Sequence, residues 1–132
     1  MLARVNERET TAGLAATPGY RYADVVGGRL FPAGQVPQDE MGEIVSLGDP
    51  AGQATRCLGN LRTVMAVHGF VIGDVRHLTI YVAGGHDELA AAWQAVVTWF
   101  SGEVPPATLL GVTVLGYRGQ LVEIDADVAR IG

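Results

Sequence analysis

The chain has 132 residues, which sets the expectation of a single domain, residues 1–132, able to bury roughly two-thirds of its unfolded surface. Its 48% hydrophobic and 17% charged content is that of a globular protein, and no stretch nears the roughly 20 apolar residues that cross a bilayer. Net charge is −5, from nine basic and fourteen acidic residues, and no window concentrates the basic ones, so the electrostatic footprint of a phosphate-backbone binder is missing.

Residues 1–17 carry no sustained pattern and are expected to form an arm or a weakly paired segment. Arg4, Glu7, Arg8 and Glu9 leave no room for the apolar core of a secretory signal, so a cytoplasmic location is expected. The lone Cys57 allows no internal disulfide and suits a reducing compartment. Tyr20–Val26 reads as a strand, Gly27-Gly28 as a two-residue hairpin turn, and Arg29–Gln35 as the returning strand, with Pro32 marking an edge or an irregularity. Residues Val36 to Gly48 form a long loop.

Asp49-Pro50 is a strong helix start, because Asp caps free backbone N–H groups and Pro suits the first helical position. Ala54, Cys57, Leu58, Leu61, Val64, Met65 and His68 then recur on one helical face, and Gly69 is the expected stop. Asp74–Ala83 follows as a strand with an apolar face of Leu78, Ile80 and Val82. After Gly84-Gly85 a second helix begins, with His86, Asp87 and Glu88 at its start and a face of Leu89, Ala92, Trp93, Val96, Val97 and Phe100. Two strands, about 107–115 and 120–128, are expected to pair as a hairpin around Gly116–Gly119. The order ββαβαββ specifies an α+β sandwich with both helices on one side of the sheet.

Along the last strand, Leu121, Glu123, Asp125 and Asp127 point one way and Val122, Ile124, Ala126 and Val128 the other. By itself the acidic row reads as a solvated sheet face. No metal site is expected: His68, His77 and His86 sit in different elements, none has a second ligand at helical spacing, and there is no Cys-x-x-Cys. Cys57 reads as a buried small hydrophobe. Neither glycine pair belongs to a phosphate loop or dinucleotide fingerprint, so no cofactor is expected.

Several separated motifs occur in one order: "YADVVGGRLFPAGQVP", "GDPAGQATRCLGNLRTVMAVHGFVIGDVRHLTIYV" and "PPATLLGVTVLGYRGQLVEIDA". Together they resemble the RidA family (also called YjgF/YER057c/UK114) over roughly residues 19–128. The best-known members hydrolyse reactive enamines and imines. The resemblance implies a chorismate-mutase-like α+β domain, assembled as a homotrimer around a central barrel, with small-molecule pockets in the clefts between subunits.

It also implies site residues. Glu123 matches the family glutamate that holds or activates water, the work of a positioned general base. Tyr20, fourteen residues before Gly34, matches the pocket tyrosine; an ordinary strand aromatic is the competing reading. Ala33 stands where the family has serine, and Gly34 matches the turn glycine beside the ligand. Leu110 matches a position whose backbone N–H binds ligand. Thr108 departs from the family: fifteen residues before Glu123 the deaminases carry an arginine that grips a substrate carboxylate with two hydrogen bonds. A threonine hydroxyl is neutral and donates once, which weakens carboxylate binding on the order of tenfold to a hundredfold. Arg21 and Arg118 could compensate or could simply be solvated. Some relatives have been described as ribonucleases; the charge balance here argues against nucleic acid as a partner. Two functions follow from the resemblance: a diverged imine or enamine hydrolase with an altered substrate, or a non-catalytic ligand-binding or regulatory trimer.

Overall fold

The computed structural model describes residues 5–131. A five-stranded sheet carries two long helices on one face. The elements are α1 (Glu7–Thr11), β1 (Ala23–Val26), β2 (Arg29–Pro32), α2 (Pro50–Val67), β3 (Val75–Ala83), α3 (His86–Trp99), β4 (Ala107–Val112) and β5 (Val122–Ala129), with a 3-10 turn at Ile72–Asp74. Sheet order is β1-β2-β5-β3-β4, antiparallel throughout except for the parallel β3–β4 pair that α3 connects. This is the α+β sandwich expected from the sequence.

The helix signals act as their chemistry dictates. Asp49 Oδ1 accepts from the Gly52 N–H at 3.0 Å with Pro50 in the first turn. At the far end Gly69 takes φ +80°, and the Phe70 N–H reaches back to the Met65 carbonyl at 2.8 Å, closing the last turn. At the start of α3, Glu88 Oε1 accepts from the Gly85 N–H at 2.7 Å. The buried face of α2, including Ala54, Cys57, Leu58, Leu61 and Met65, and Ala92 and Val96 of α3 pack on Leu30, Leu78, Ile80, Val82, Val122, Ile124, Ala126 and Val128 of the sheet. Those sheet residues alternate with a second set that no helix covers.

The final strands differ from the expected hairpin. β4 and β5 do not pair with each other: β4 lies at the edge, parallel to β3, and β5 is inserted between β2 and β3. The reason is burial, since β5 presents an unbroken inward row, Val122, Ile124, Ala126 and Val128, that is best spent in mid-sheet. Residues 113–115, expected as strand, lie outside β4, and β5 begins at 122 instead of 120.

The first hairpin forms with Val26 opposite Arg29 and Gly27 at φ +58°, but its strands are shorter than expected. Tyr20–Tyr22 and Ala33–Gln35 fall outside them. Leu30 pairs with Val128, while Gln35 bridges Ile124 with N···O distances of 2.7 and 3.1 Å, so β2 carries one residue more than β5 between those two points. Pro32, which has no N–H for the ladder, sits at this bulge, and the bulge turns Gly34 toward β5.

The N-terminal segment is not a free arm over its described part. Residues 7–11 form a short helix. Asn6 ties the segment down, donating to Thr17 Oγ1 and the Tyr20 carbonyl and accepting from the Tyr22 N–H. Glu9 and His68 meet at 2.6 Å, and Leu14 and Tyr22 pack on Val64 of α2.

The buried Tyr22 hydroxyl donates to the Ala15 carbonyl at 2.7 Å, and burial foremost, with Tyr117 and Glu9 adding, pushes its pKa from 10.0 up to about 12. An acid raised in the folded state stabilises fully below its unfolded pKa and loses that contribution as pH rises through the folded value. Urea unfolding of Tyr22→Phe should therefore show a loss of about 1 kcal/mol at pH 7. The wild type should lose stability more steeply than the variant between pH 10 and 12; equal slopes would remove Tyr22 from the alkaline transition.

Candidate functional site

The uncovered sheet face carries the candidate residues of β4 and β5. Along β5 it carries Glu123, Asp125 and Asp127, as the alternation of the strand requires. Opposite them on β3 stand Tyr81, Thr79 and His77 respectively. On β4, Leu110 lies opposite Tyr81 and Thr108 opposite Thr79.

Glu123 is the best-fixed carboxylate on this face. Its Oε1 accepts from Gln120 Nε2 at 3.1 Å. The Gln120 amide is itself immobilised: Nε2 also donates to the Val122 carbonyl at 3.1 Å, and Oε1 accepts from the Tyr117 N–H at 3.1 Å. The other carboxylate oxygen, Oε2, lies against Gly34, where a Cβ would come within 2.4 Å of it. Gly34 is thus glycine because the carboxylate needs the room, not because of an unusual backbone angle.

Tyr20 lies within reach of the Glu123 charge. Burial raises its hydroxyl pKa well above the ordinary tyrosine value, and Tyr117, both by its charge and by a hydrogen bond between the two side chains, then Tyr22 and Glu123 push the same way. The hydroxyl therefore remains protonated and can act as a donor. Tyr20, Tyr22, Gly34 and Gln35 border a recess of about 10 Å³, space for one water. Ala33 contributes backbone only, its N–H donating to the Tyr22 carbonyl at 2.7 Å and its carbonyl accepting from Gln35 Nε2 at 2.7 Å.

Of the sequence-identified residues, then, Gly34 lies against the Glu123 carboxylate and Tyr20 is near enough to feel its charge, while the hydrogen bonds of Ala33 go to Tyr22 and Gln35. Thr108 and Leu110 share the face but sit two strands away from β5, about 10 Å at the usual strand spacing. Neither candidate arginine fills the gap: Arg21 pairs with Asp24 at 3.5 Å in an exposed contact, and Arg118 is exposed in the loop before β5. Thr108 Oγ1 instead meets His77 Nε2 at 3.3 Å.

Gln120, Tyr117 and His77 were not identifiable as site residues from sequence. Gln120 sits in an apparently ordinary turn segment, and only the fold reveals that its amide is buried and aimed at Glu123. Cys57 is fully buried, and burial, with Glu123 adding, pushes its thiol pKa far up; it is no nucleophile. Trp93, on α3, is partly buried and packs against the core. Among the described residues, no three His, Cys, Asp or Glu side chains are grouped to hold a metal ion, and no helix is long and apolar enough to cross a membrane. A hollow of about 630 Å³ is an open groove between Ala12–Leu14 and the outer side of α2, and Glu123 does not line it.

Fold and site together define a compact α+β domain with a fixed carboxylate on its open sheet face. The profile of the family described as endoribonuclease L-PSP matches residues 10–130, and the chain belongs to that family, the RidA/YjgF family. A RutC family protein of Pyrococcus horikoshii is 32% identical over 108 residues, covering 81% of this chain and 83% of the relative. Protein DfrA of Myxococcus xanthus is 31% identical over 126 residues, 95% of each chain. The crystal structure of RidA from an Antarctic Psychrobacter superimposes with a TM-score of 0.79 at 22% identity, over 90% of this chain and 95% of that one, a likeness of fold.

The contact between Gly34 and Glu123 gives a direct prediction. Gly34→Ala should cost about 1–2 kcal/mol in urea unfolding, because the carboxylate must leave its Gln120 partner. In a Glu123→Ala background the same change should cost little, since the three nearest atoms that the new Cβ meets are gone. Additive costs in the double variant would mean that the two residues do not touch.

Proposed function

We propose that this protein is a diverged RidA-type hydrolase of small imines or enamines, working as a homotrimer whose ligand clefts lie between the open sheet faces of neighbouring copies. The observation that carries this reading is the clamped Glu123 carboxylate, with Oε1 held by Gln120 and Oε2 against Gly34. Within one copy Glu123 and Thr108 are too far apart to hold one small molecule, which a neighbouring copy's face would remedy. The exposed Phe31 and Val26 give such a packing an apolar component.

In the cleft, Glu123 accepts a proton as a water molecule attacks the imine carbon. The C=N electrons move to nitrogen, which takes up a proton, and the resulting carbinolamine collapses to a carbonyl compound and ammonia. Tyr20 walls the cleft and donates from a hydroxyl that stays protonated. Thr108 binds the far end of the substrate, and without a guanidinium that end is neutral or weakly polar, so ordinary 2-imino acids are poor substrates. Nucleic acid is not the proposed partner despite the family's description, because the open face carries Glu123, Asp125 and Asp127 and the whole chain is at −5. The protein needs no cofactor for this chemistry, and its buried free thiol suits a cytoplasmic setting.

A second reading, a trimer that binds small metabolites without consuming them, is favoured by the same absence of an arginine at 108. One assay separates the two. Neutral imines generated in place by an amine oxidase, and 2-imino acids generated by an amino-acid oxidase, are followed by competition with semicarbazide trapping. The hydrolase reading predicts faster decay of neutral imines with protein present, and a loss of about 10²–10⁴-fold in kcat/KM for Glu123→Gln. If no imine decays faster while metabolites still raise Tm, the binding reading replaces it.

A further inference from the structure

Thr108 is not an isolated hydroxyl. His77 Nε2 lies 3.3 Å from Thr108 Oγ1, and His77 Nδ1 lies 3.8 Å from Asp127 Oδ2 on the adjoining strand. We propose that His77 and Asp127 set the polarity of the Thr108 hydroxyl so that this corner accepts hydrogen bonds, and that the ligand presents an N–H or O–H donor there (an amide, amine or hydroxyl) and not a carboxylate. The inference rests on the reading that Thr108 lines the ligand cleft, and it narrows the class of ligand.

A neutral imidazole holds one proton, on one nitrogen or the other. At 3.8 Å the Asp127 contact is longer than a hydrogen bond, but the carboxylate's field still favours the proton on the nitrogen nearer to it, Nδ1. Nε2 is then a bare acceptor. The single Thr108 proton goes to it, and the lone pairs of Oγ1 are what remain for a ligand. An arginine offers only donors; this line of three side chains offers the reverse.

The surrounding charges favour the same ligand. Asp125 lies two residues along β5 from Asp127, with its pKa raised by burial first and by Asp127 as well, and Glu123 lies two further on. From β4 no charged group faces His77. From β2, Arg29 lies over the Phe31 ring, and on β3 itself Arg76 donates to the Ala129 and Gly73 carbonyls. The corner is therefore acidic, which repels a carboxylate and suits a donor.

The test compares two molecules that differ only at the end in question, pyruvate and pyruvamide, by titration calorimetry at pH 8, where an ordinary imidazole is neutral. Wild-type protein is expected to bind pyruvamide at least about tenfold more tightly than pyruvate. His77→Gln, which adds no charge but lets an amide N–H face Thr108, should release the hydroxyl proton outward and cut that preference several-fold. Asp127→Asn should do the same by moving the ring proton to Nε2. Asp125→Asn removes a charge but leaves the line intact, and should change the preference less than either. A wild-type preference for pyruvate, or an unchanged ratio in both His77→Gln and Asp127→Asn, overturns the inference. Thr108→Arg tells this apart from failure of the underlying reading. If it draws pyruvate while the other two variants have no effect, the cleft stands and the polarity proposal falls. If Thr108→Arg alters neither affinity, or if wild type binds neither compound, both fall.

Discussion

The structure depends on the two-sidedness of β5. Its even-numbered residues from Val122 to Val128 are buried against α2 and α3, and its odd-numbered residues Glu123, Asp125 and Asp127 emerge on the face without helices. A shift of one residue in register would put three carboxylates into the core and four apolar side chains outside, an exchange costing far more than the few kcal/mol by which domains are stable. Register is thereby fixed, and with it the partners of each acidic residue: Tyr81 for Glu123, Thr79 for Asp125, His77 for Asp127. The placement of the candidate base is a consequence of core packing.

What distinguishes Glu123 from the other two carboxylates is its local support. Gln120 and Gly34 accommodate its two oxygens differently, one by a hydrogen bond and one by the lack of a side chain. Asp125 Oδ1 accepts from the N–H of its own neighbour Ala126, and Asp127 faces solvent and His77. A buried amide with each of its polar atoms engaged is a rigid support, and rigidity is what a general base requires. The bulge at Pro32 serves the same end, since it turns Gly34 toward the carboxylate.

Much of this was legible in the chain itself. The Asp49-Pro50 start, the Gly69 stop and the inward rows of α2 and β3 are local signals, and each is realised. The alternation in "LVEIDADV" is enough to put Glu123 on the outer face. The pairing of β4 and β5 was not legible, because two strands joined by a short Gly-bearing turn normally form a hairpin, and only the competition for the mid-sheet position excludes it here. The N-terminal helix is not legible because five residues are too few for a periodic pattern; its stability comes from Asn6, from Glu9 on His68, and from the Tyr22 hydroxyl on Ala15. Gln120 and His77 were invisible for a related reason. A glutamine in a turn and a histidine in a strand acquire meaning only from long-range neighbours, Glu123 and Thr108.

The open sheet face is the proposed working face, with another copy of the chain proposed to complete it. A crystal structure grown with pyruvamide tests this most directly. The expected result is three copies with their open faces turned together and ligand density between Glu123 of one copy and Thr108 of its neighbour. Ligand density in the groove outside α2, or copies whose open faces remain bare, would contradict it.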